Sequence, residues 1–514
     1  MNIRAILVRL FIGAVFGLAV AACGNGGSNS GAPTPPPSAT GLKRVGHIIV
    51  MMQENHSFDN YFGALPYAPK TPYHAGPCTA ADSKCVNGLT CAVSASGVYS
   101  CTNFDPEIDG SVAVTAFHDP RLCVFPDLDH TWVGAHREAS YNDPDNSING
   151  SNDGFISQND MTEQSDSNTG ESLTDDDTMG FYTQTDLPYY YALAEKFAID
   201  DSYFSSLLGQ TVPNRMYEFA ATSFGHLVTS TGEAIPPPGG YKPINGTIFD
   251  LLDKNNVSWA EYLEAGGVTE LGIPYGGLFR TPVPPHFLVL DQFMSQAKSG
   301  KLPAVAFVDL GLPDSEHPPF DIRAGEAEVA SVINAVRSGP NWKDSIIFLT
   351  YDEHGGFYDH VTPPAAVAPD NIFPGQCADL SNPPTSETPG NGAQCSDSLQ
   401  QAQMLCALAL PGETCPGFTQ YGFRVPFVAI SPFSKTSYVS HTVGDHTSIL
   451  ALIEARFTPG QHLTNRDGAA NDLEDLFNFN TSPSLKTNVP PSLAPSANSS
   501  DTGCLIQSAL APGT

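Results

Sequence analysis

The sequence predicts an α/β fold with a central, mostly parallel sheet flanked by helices and interrupted by disulfide-rich insertions. Three observations carry this expectation. Short β-branched runs recur along the chain and are continuous rather than alternating, the pattern of strands buried on both faces. Helical segments lie between them, as crossover connections require. Several runs stop at clusters of polar and acidic residues, and in parallel α/β sheets sites form at the carboxyl ends of the strands. A chain of 514 residues allows roughly two to four domains or one large α/β unit.

The first predicted strand covers residues 45–52 and runs into Gln53-Glu54-Asn55-His56-Ser57. The second covers 304–308 and ends at Asp309, and the third covers 345–351 and ends at Asp352-Glu353-His354. A fourth covers 425–430, where Pro426 implies an edge strand or a strand that begins with the proline. Helices are expected over 324–337 and 445–456, the latter capped by Asp445. The Cys- and turn-rich stretch 65–125 reads as an insertion, and 365–420 and 480–514 read as Pro/Ser/Gly/Asn-rich excursions. Residues 143–177 are acidic and Asn-rich, a solvated loop. Asp145 to Gly150 opens like a calcium loop, but the twelfth position is Ile156 where a bidentate Glu is needed, so an EF-hand is excluded.

Composition narrows the function. Lys and Arg number 23 against 54 Asp and Glu, a net charge of −31. Such a field repels phosphate backbones and argues against a nucleic-acid partner. An anionic substrate then needs a local counter-charge, for which a divalent metal is the obvious candidate. With 15% charged residues, 46 Gly and 44 Pro, the chain is loop-rich and not a coiled coil or helical repeat.

Residues 1–22 read as a signal peptide: Arg4 and Arg9 form a basic start, and 10–22 is apolar but too short for a confident membrane span. The ending Val20-Ala21-Ala22-Cys23 resembles a bacterial lipobox, which implies lipidation of Cys23 and a lipoprotein facing the periplasm or cell surface. The alternative is an ordinary secretory signal and a secreted protein. Residues 23–42 form a Gly/Ser then Pro linker. Of 11 Cys, Cys23 aside, ten remain, an even number that suggests disulfides in an exported chain. They fall into two groups of five, Cys78 to Cys123 and Cys377 to Cys504, so full pairing requires a bridge between the groups. No C-x-x-C pair is present, which argues against a zinc ribbon.

Thr211 sits in Gln210-Thr211-Val212-Pro213-Asn214-Arg215, with Pro213 suited to a first helical turn. That sets Thr211 at or near a helix N-terminus, where anions are attracted. A plain capping threonine is the bland alternative. Other segments favour chemistry. The run from Ile48 through Gln53-Glu54-Asn55-His56-Ser57-Phe58-Asp59-Asn60 to Gly63 resembles the opening motif of the bacterial phosphoesterase family. Further matches follow in order: Asp129-His130-Thr131-Trp132, Asn152-Asp153-Gly154-Phe155, Met179-Gly180-Phe181-Tyr182, Leu187 to Ala194, the Thr211 turn, Ser315-Glu316-His317-Pro318-Pro319, and Tyr351-Asp352-Glu353-His354-Gly355-Gly356-Phe357-Tyr358-Asp359-His360-Val361. That family includes phospholipases C and metal-dependent acid phosphatases, within the alkaline-phosphatase-like superfamily, and the resemblance runs from about 43 to 458.

The resemblance implies a phosphoesterase catalytic domain over 43–480, followed by a C-terminal tail over 481–514. It implies a divalent metal held by Glu54, Asn55, Asp352 and Glu353, with Thr211 as nucleophile and further ligand. It implies His130 and His317 around the phosphate, and more weakly His354 and His360. The residue types suit that chemistry: a hydroxyl needs a metal or a base to become nucleophilic, and carboxylate and amide oxygens suit a hard or borderline cation. The expected activity is metal-dependent hydrolysis of a phosphomonoester or a phospholipid head group through a phospho-enzyme. The family's His-Asn-Pro element has no counterpart. The stretch reads Leu278-Phe279-Arg280-Thr281-Pro282, so Arg280 or His286 is the candidate replacement. His441 is a candidate late ligand, although capping and packing are the plainer reading for 440–450. The chain leaves no room after its core for the extra β domains of larger phospholipases C, which tilts the expectation towards the acid phosphatases. The alternatives are a sulfatase-like esterase, for which Thr-x-Pro-Asn-Arg lacks the Cys or Ser, and a catalytically inactive surface-binding lipoprotein.

Overall fold

The computed structural model describes residues 40–486 apart from 91–100, 106–111, 125–126, 167–174, 265–268, 270, 382, 384–394 and 410–414. The expected signal peptide, the lipobox and most of the tail lie outside the described residues. Among those described, no helix is long and apolar enough to cross a membrane.

The core is one eight-stranded sheet. Its strands, labelled here in chain order, are β1 (His47–Gln53), β2 (Ala198–Asp200), β3 (Trp259–Leu263), β4 (Phe287–Val289), β5 (Val305–Asp309), β6 (Ser345–Tyr351), β7 (Phe427–Ile430) and β8 (Tyr438–Ser440). The order across the sheet is β8-β2-β7-β6-β1-β5-β3-β4. β1 pairs in parallel with both β5 and β6, β3 in parallel with β4 and β5, and β8 in parallel with β2. Only β7 runs against its neighbours, β6 and β2. The mostly parallel α/β sheet is therefore as the sequence predicts.

β1 and β6 are apolar along nearly their whole length because helices cover both faces of the sheet, and every residue of β6 is buried. Helix Ile322–Ser338 presents Val329, Val332, Ile333 and Val336 to this core. Asp445 heads helix His446–Phe457 in a reciprocal capping box with Ser448. The position of β7 decides between the two readings of Pro426: it is an inner strand, so the edge reading is wrong, and the proline stands immediately before its first residue, Phe427. A proline outside the ladder removes no sheet hydrogen bond.

Bridges Cys78–Cys85, Cys377–Cys395 and Cys406–Cys415 each stay within one of the two cysteine groups. If all ten cysteines pair, the bridge between the groups must use Cys504, the remaining member of the second group.

Candidate active site

The register Gln53↔Tyr351 sets the residues that follow β1 beside those that follow β6, at the carboxyl ends of two adjacent parallel strands. Asn55 turns the chain with φ 63, a left-handed conformation that Asn tolerates better than most residues. Its N–H donates to Asp352 Oδ1 at 3.1 Å, and the His56 N–H donates to the Glu353 carbonyl at 3.1 Å. Gly355 makes the close crossing achievable: it has φ 64, and a Cβ there would stand 2.2 Å from the Asn55 carbonyl oxygen.

Thr211 is the first residue of helix Thr211–Ala220, and Gln210 is the N-cap. The capping alternative is thereby set aside, because Thr211 is inside the helix and its Oγ1 has no hydrogen-bond partner. Arg215 lies four residues on, so it shares a helix face with Thr211. Its guanidinium donates to the Met52 carbonyl at 2.9 Å and lies 3.6 Å from Glu54 Oε1 and 3.5 Å from Asp352 Oδ2. One side chain thus ties the Thr211 helix to both acidic strand ends. Asp309, at the end of β5, and Glu218 also face Arg215, at 3.7 and 3.6 Å. The Tyr275 ring lies 4.3 Å below the guanidinium, and its hydroxyl donates to Glu54 at 2.5 Å.

Buried oxygens without a hydrogen-bond partner here include Asp309 Oδ2 and Glu218 Oε2 beside Arg215, and five on the ligand candidates: Glu54 Oε2, Asn55 Oδ1, Thr211 Oγ1, Asp352 Oδ2 and Glu353 Oε1. Leaving a buried polar atom unpaired costs about 1–3 kcal/mol. Folded proteins satisfy the large majority of such groups, so these five together point to a ligand. The donor set of carboxylates, amide and hydroxyl suits a hard or borderline divalent cation, and the residues present fit a metal. Asp352 is pushed up to about 7 by burial, against Arg215 and with the charges of Glu353 and Glu54 adding to the push. Burial also opposes the charge on Glu353, but His130 and His354 outweigh it and hold the carboxyl below its ordinary value.

Among the described residues, three groups elsewhere bring His, Cys or carboxylate ligand atoms within 4.8 Å of one another: Cys78, Asp201 and His441; His226, Glu233 and Cys377; and Asp59, Asp359 and His360; Glu54, Asp352 and Glu353 do not form such a group. The first two include a cysteine sulfur already in a disulfide. The third encloses Arg424, which lies 3.0 Å from Asp59 Oδ1 and 2.9 Å from Asp359 Oδ1 and supplies the counter-charge.

The histidines separate. His130 is buried, its Nδ1–H donates to the Leu128 carbonyl at 2.7 Å, and its Nε2 lies 3.9 Å from Glu353 Oε1. Burial alone would depress it, but Glu353 and Asp127 raise it to about 10. His317 stands 6.4 Å from the His130 ring, with Nε2 4.0 Å from the half-exposed Asp127. His354 lies between Glu138 and Glu353, while His360 bonds Asp59 and Asn87 instead of the residues around Thr211. His441 pairs with Asp201 at 2.7 Å, and His446 faces the Asp352 carbonyl at 2.7 Å. Neither candidate for the absent histidine reaches the acidic centre. Arg280 pairs with Asp250 and Asp253, and His286 stacks on Trp259, the first residue of β3 and so at the amino ends of the parallel strands, away from the acidic centre.

Sequence reasoning assigned no role to Arg215, Asp309, Glu218, Tyr275, Asp127 or Glu138. Arg215 lies inside a quoted motif, and Asp309 ends a predicted strand, so both carried a signal. Glu138 and Tyr275 are identifiable only once the fold brings them in.

Residues 45–458 match the Phosphoesterase family. Phospholipase C B of Mycobacterium tuberculosis is 32% identical over 464 residues, covering 86% of this chain and 79% of the relative. Non-specific phospholipase C6 of Arabidopsis thaliana is 28% identical over 475 residues, covering 87% and 75%. Among solved structures, murine ectonucleotide pyrophosphatase/phosphodiesterase 5 is similar at 9% identity with a TM-score of 0.31, covering 59% of this chain and 96% of that one. That likeness is too remote to carry any residue across. The family match and the identity to the mycobacterial enzyme extend over the strands, turns and helix that build the acidic centre, and the chain is a member of the Phosphoesterase family, a phosphoesterase-type hydrolase.

Proposed function

We propose that this hydrolase cleaves phosphate esters with Thr211 as nucleophile, through a phosphoryl-threonine adduct that keeps the head group, and that its substrates are phospholipid head-group esters. The observation that carries the reading is the set of buried oxygens without a hydrogen-bond partner on Glu54, Asn55, Asp352, Glu353 and Thr211. These residues would hold the cation. When bound, a divalent metal there supplies Lewis acidity for the threonine hydroxyl and charge neutralisation for the phosphoryl oxygens.

The chain's own groups do the rest. Thr211 Oγ1 forms a bond to phosphorus as the bond to the leaving diacylglycerol oxygen breaks, which leaves the head-group phosphate on Thr211 as a phosphodiester; water then cleaves the Thr211 ester to release the head-group phosphate monoester and restore the hydroxyl. His130, with its Nδ1–H tied to Leu128, turns Nε2 towards the Glu353 side, where it stabilises the phosphoryl oxygens. His317, nearer solvent and facing Asp127, delivers the proton to the leaving oxygen. Arg215 keeps the Thr211 helix in register with both strand ends. His360 serves the Arg424 ion-pair cluster, a supporting role. The named phospholipases C among the relatives favour a lipid ester over a soluble monoester. Export with a lipid on Cys23 belongs to the same proposal and rests on the lipobox-like ending of the signal stretch.

The test is a panel of p-nitrophenyl phosphate, bis-p-nitrophenyl phosphate, phosphatidylcholine and p-nitrophenyl sulfate, each with and without chelator. The reading expects chelator-sensitive release of phosphocholine as the largest rate. Preference for the sulfate ester, or turnover that survives chelation, overturns it.

A further inference from the structure

Glu138 and His354 lie outside the set of ligand candidates, yet their bonds run straight into it. Glu138 is on helix Trp132–Ala139 and is 0% exposed. Its Oε2 is 2.7 Å from His354 Nε2, and the other ring nitrogen of His354 is 3.3 Å from Glu353 Oε2. The same Glu353 oxygen accepts the Gly355 N–H at 2.7 Å. Two donors therefore hold Oε2 of Glu353, and Oε1, 3.9 Å from His130 Nε2, is left without a hydrogen-bond partner.

Packing locks the histidine in this pose. Its ring lies 4.6 Å from the Phe423 ring and 6.1 Å from the edge of Phe155. Phe155 is set by its own N–H donating to Asn103 Oδ1 at 2.9 Å. Gly154 allows the helix carrying Glu138 to approach, because a Cβ there would stand 1.9 Å from the Arg137 carbonyl oxygen. Both ring nitrogens of His354 face carboxylates, so the ring has no free nitrogen for a substrate.

We propose that Glu138 and His354 are positioning residues: Glu138 fixes the His354 ring, and His354 with the Gly355 N–H orients Glu353 so that its free oxygen is presented to the cation. The inference rests on the metal-dependent reading above. Outer partners of metal ligands act in this way, and losing one typically costs about 10–100-fold in metal affinity.

The experiment titrates the metal-stripped, purified protein with Mn²⁺ by calorimetry, alongside Glu138→Gln, His354→Gln and the double variant. Circular dichroism identifies any variant that does not fold, and Glu138→Gln, nearly isosteric, then decides alone. The expected result is a Kd for Mn²⁺ raised about tenfold or more in each single variant. The double variant should be no worse than His354→Gln, because the two act in series, and saturating Mn²⁺ should restore most of kcat. Native affinity in the folded variants, or multiplying losses in the double variant, overturns the inference. So does turnover that stays low at saturating Mn²⁺, since His354 would then act on substrate. Failure of the native protein itself to bind any divalent metal would instead overturn the functional reading.

Discussion

Thr211→Val tests whether the Thr211 hydroxyl belongs to a ligand site or to the fold. The two side chains have nearly the same shape, so the substitution opens no cavity and removes one hydroxyl. Thr211 is 1% exposed and its Oγ1 has no hydrogen-bond partner. A buried hydroxyl in that state costs about 1–3 kcal/mol relative to a paired one. The metal-stripped variant should therefore be more stable than the native protein by about 1–3 kcal/mol. Added cation reverses the comparison: a ligand at one hundred times its Kd stabilises by about 2.7 kcal/mol, and the variant, short of one ligand, gains less. Urea unfolding in chelator and in excess Mn²⁺ measures both quantities as shifts of midpoint at constant slope. Turnover should vanish in the same variant. A variant less stable than native in chelator, or one with the native metal-induced shift, would refute the reasoning, because the hydroxyl would then be serving the fold.

Other outcomes follow from the same geometry. Arg215→Met leaves Glu54, Asp352, Asp309 and Glu218 without their shared cation, so unfolding free energy should fall by about 3–5 kcal/mol in chelator, and an undiminished value would contradict the role given to Arg215. His136 is buried, its ring tilted against Trp132 at 4.3 Å, and lowered by that burial from its ordinary 6.5 to about 4. Its contribution to stability is complete above pH 6.5 and is lost as the pH falls towards 4, on the order of 3 kcal/mol in all. His136→Gln should flatten that part of the stability profile, and an unchanged slope would reject the assignment. Cys23→Ser should move the protein from the membrane fraction to the soluble one, and unchanged fractionation would reject anchoring through that residue.

Legibility from sequence followed burial. β6 is expected and found at Ser345–Tyr351 because both its faces are covered, which writes an uninterrupted apolar run into the chain. β2, β4 and β8 are three residues each, too short for any periodicity, and their neighbours in the sheet define them. The inner position of β7 was obscured by Pro426, since a proline beside a strand reads like one within it. The ligand candidates were readable because they follow strands and sit in long motifs. Glu138 was not, because one among many charges acquires meaning only when the fold removes it from water. The described bridges all lie within the two cysteine groups, and a bridge between the groups follows only if all ten cysteines pair, with Cys504 as its member from the second group.

The central claim is a covalent intermediate on Thr211. The direct measurement is rapid acid quench of the metal-loaded enzyme during turnover of a phosphate ester, followed by peptide mass spectrometry across residues 205–215. The account predicts one phosphoryl group on Thr211, present with metal and absent after chelation. Steady turnover with no phosphoryl group on Thr211 at any quench time, or with the group on another residue, would contradict it.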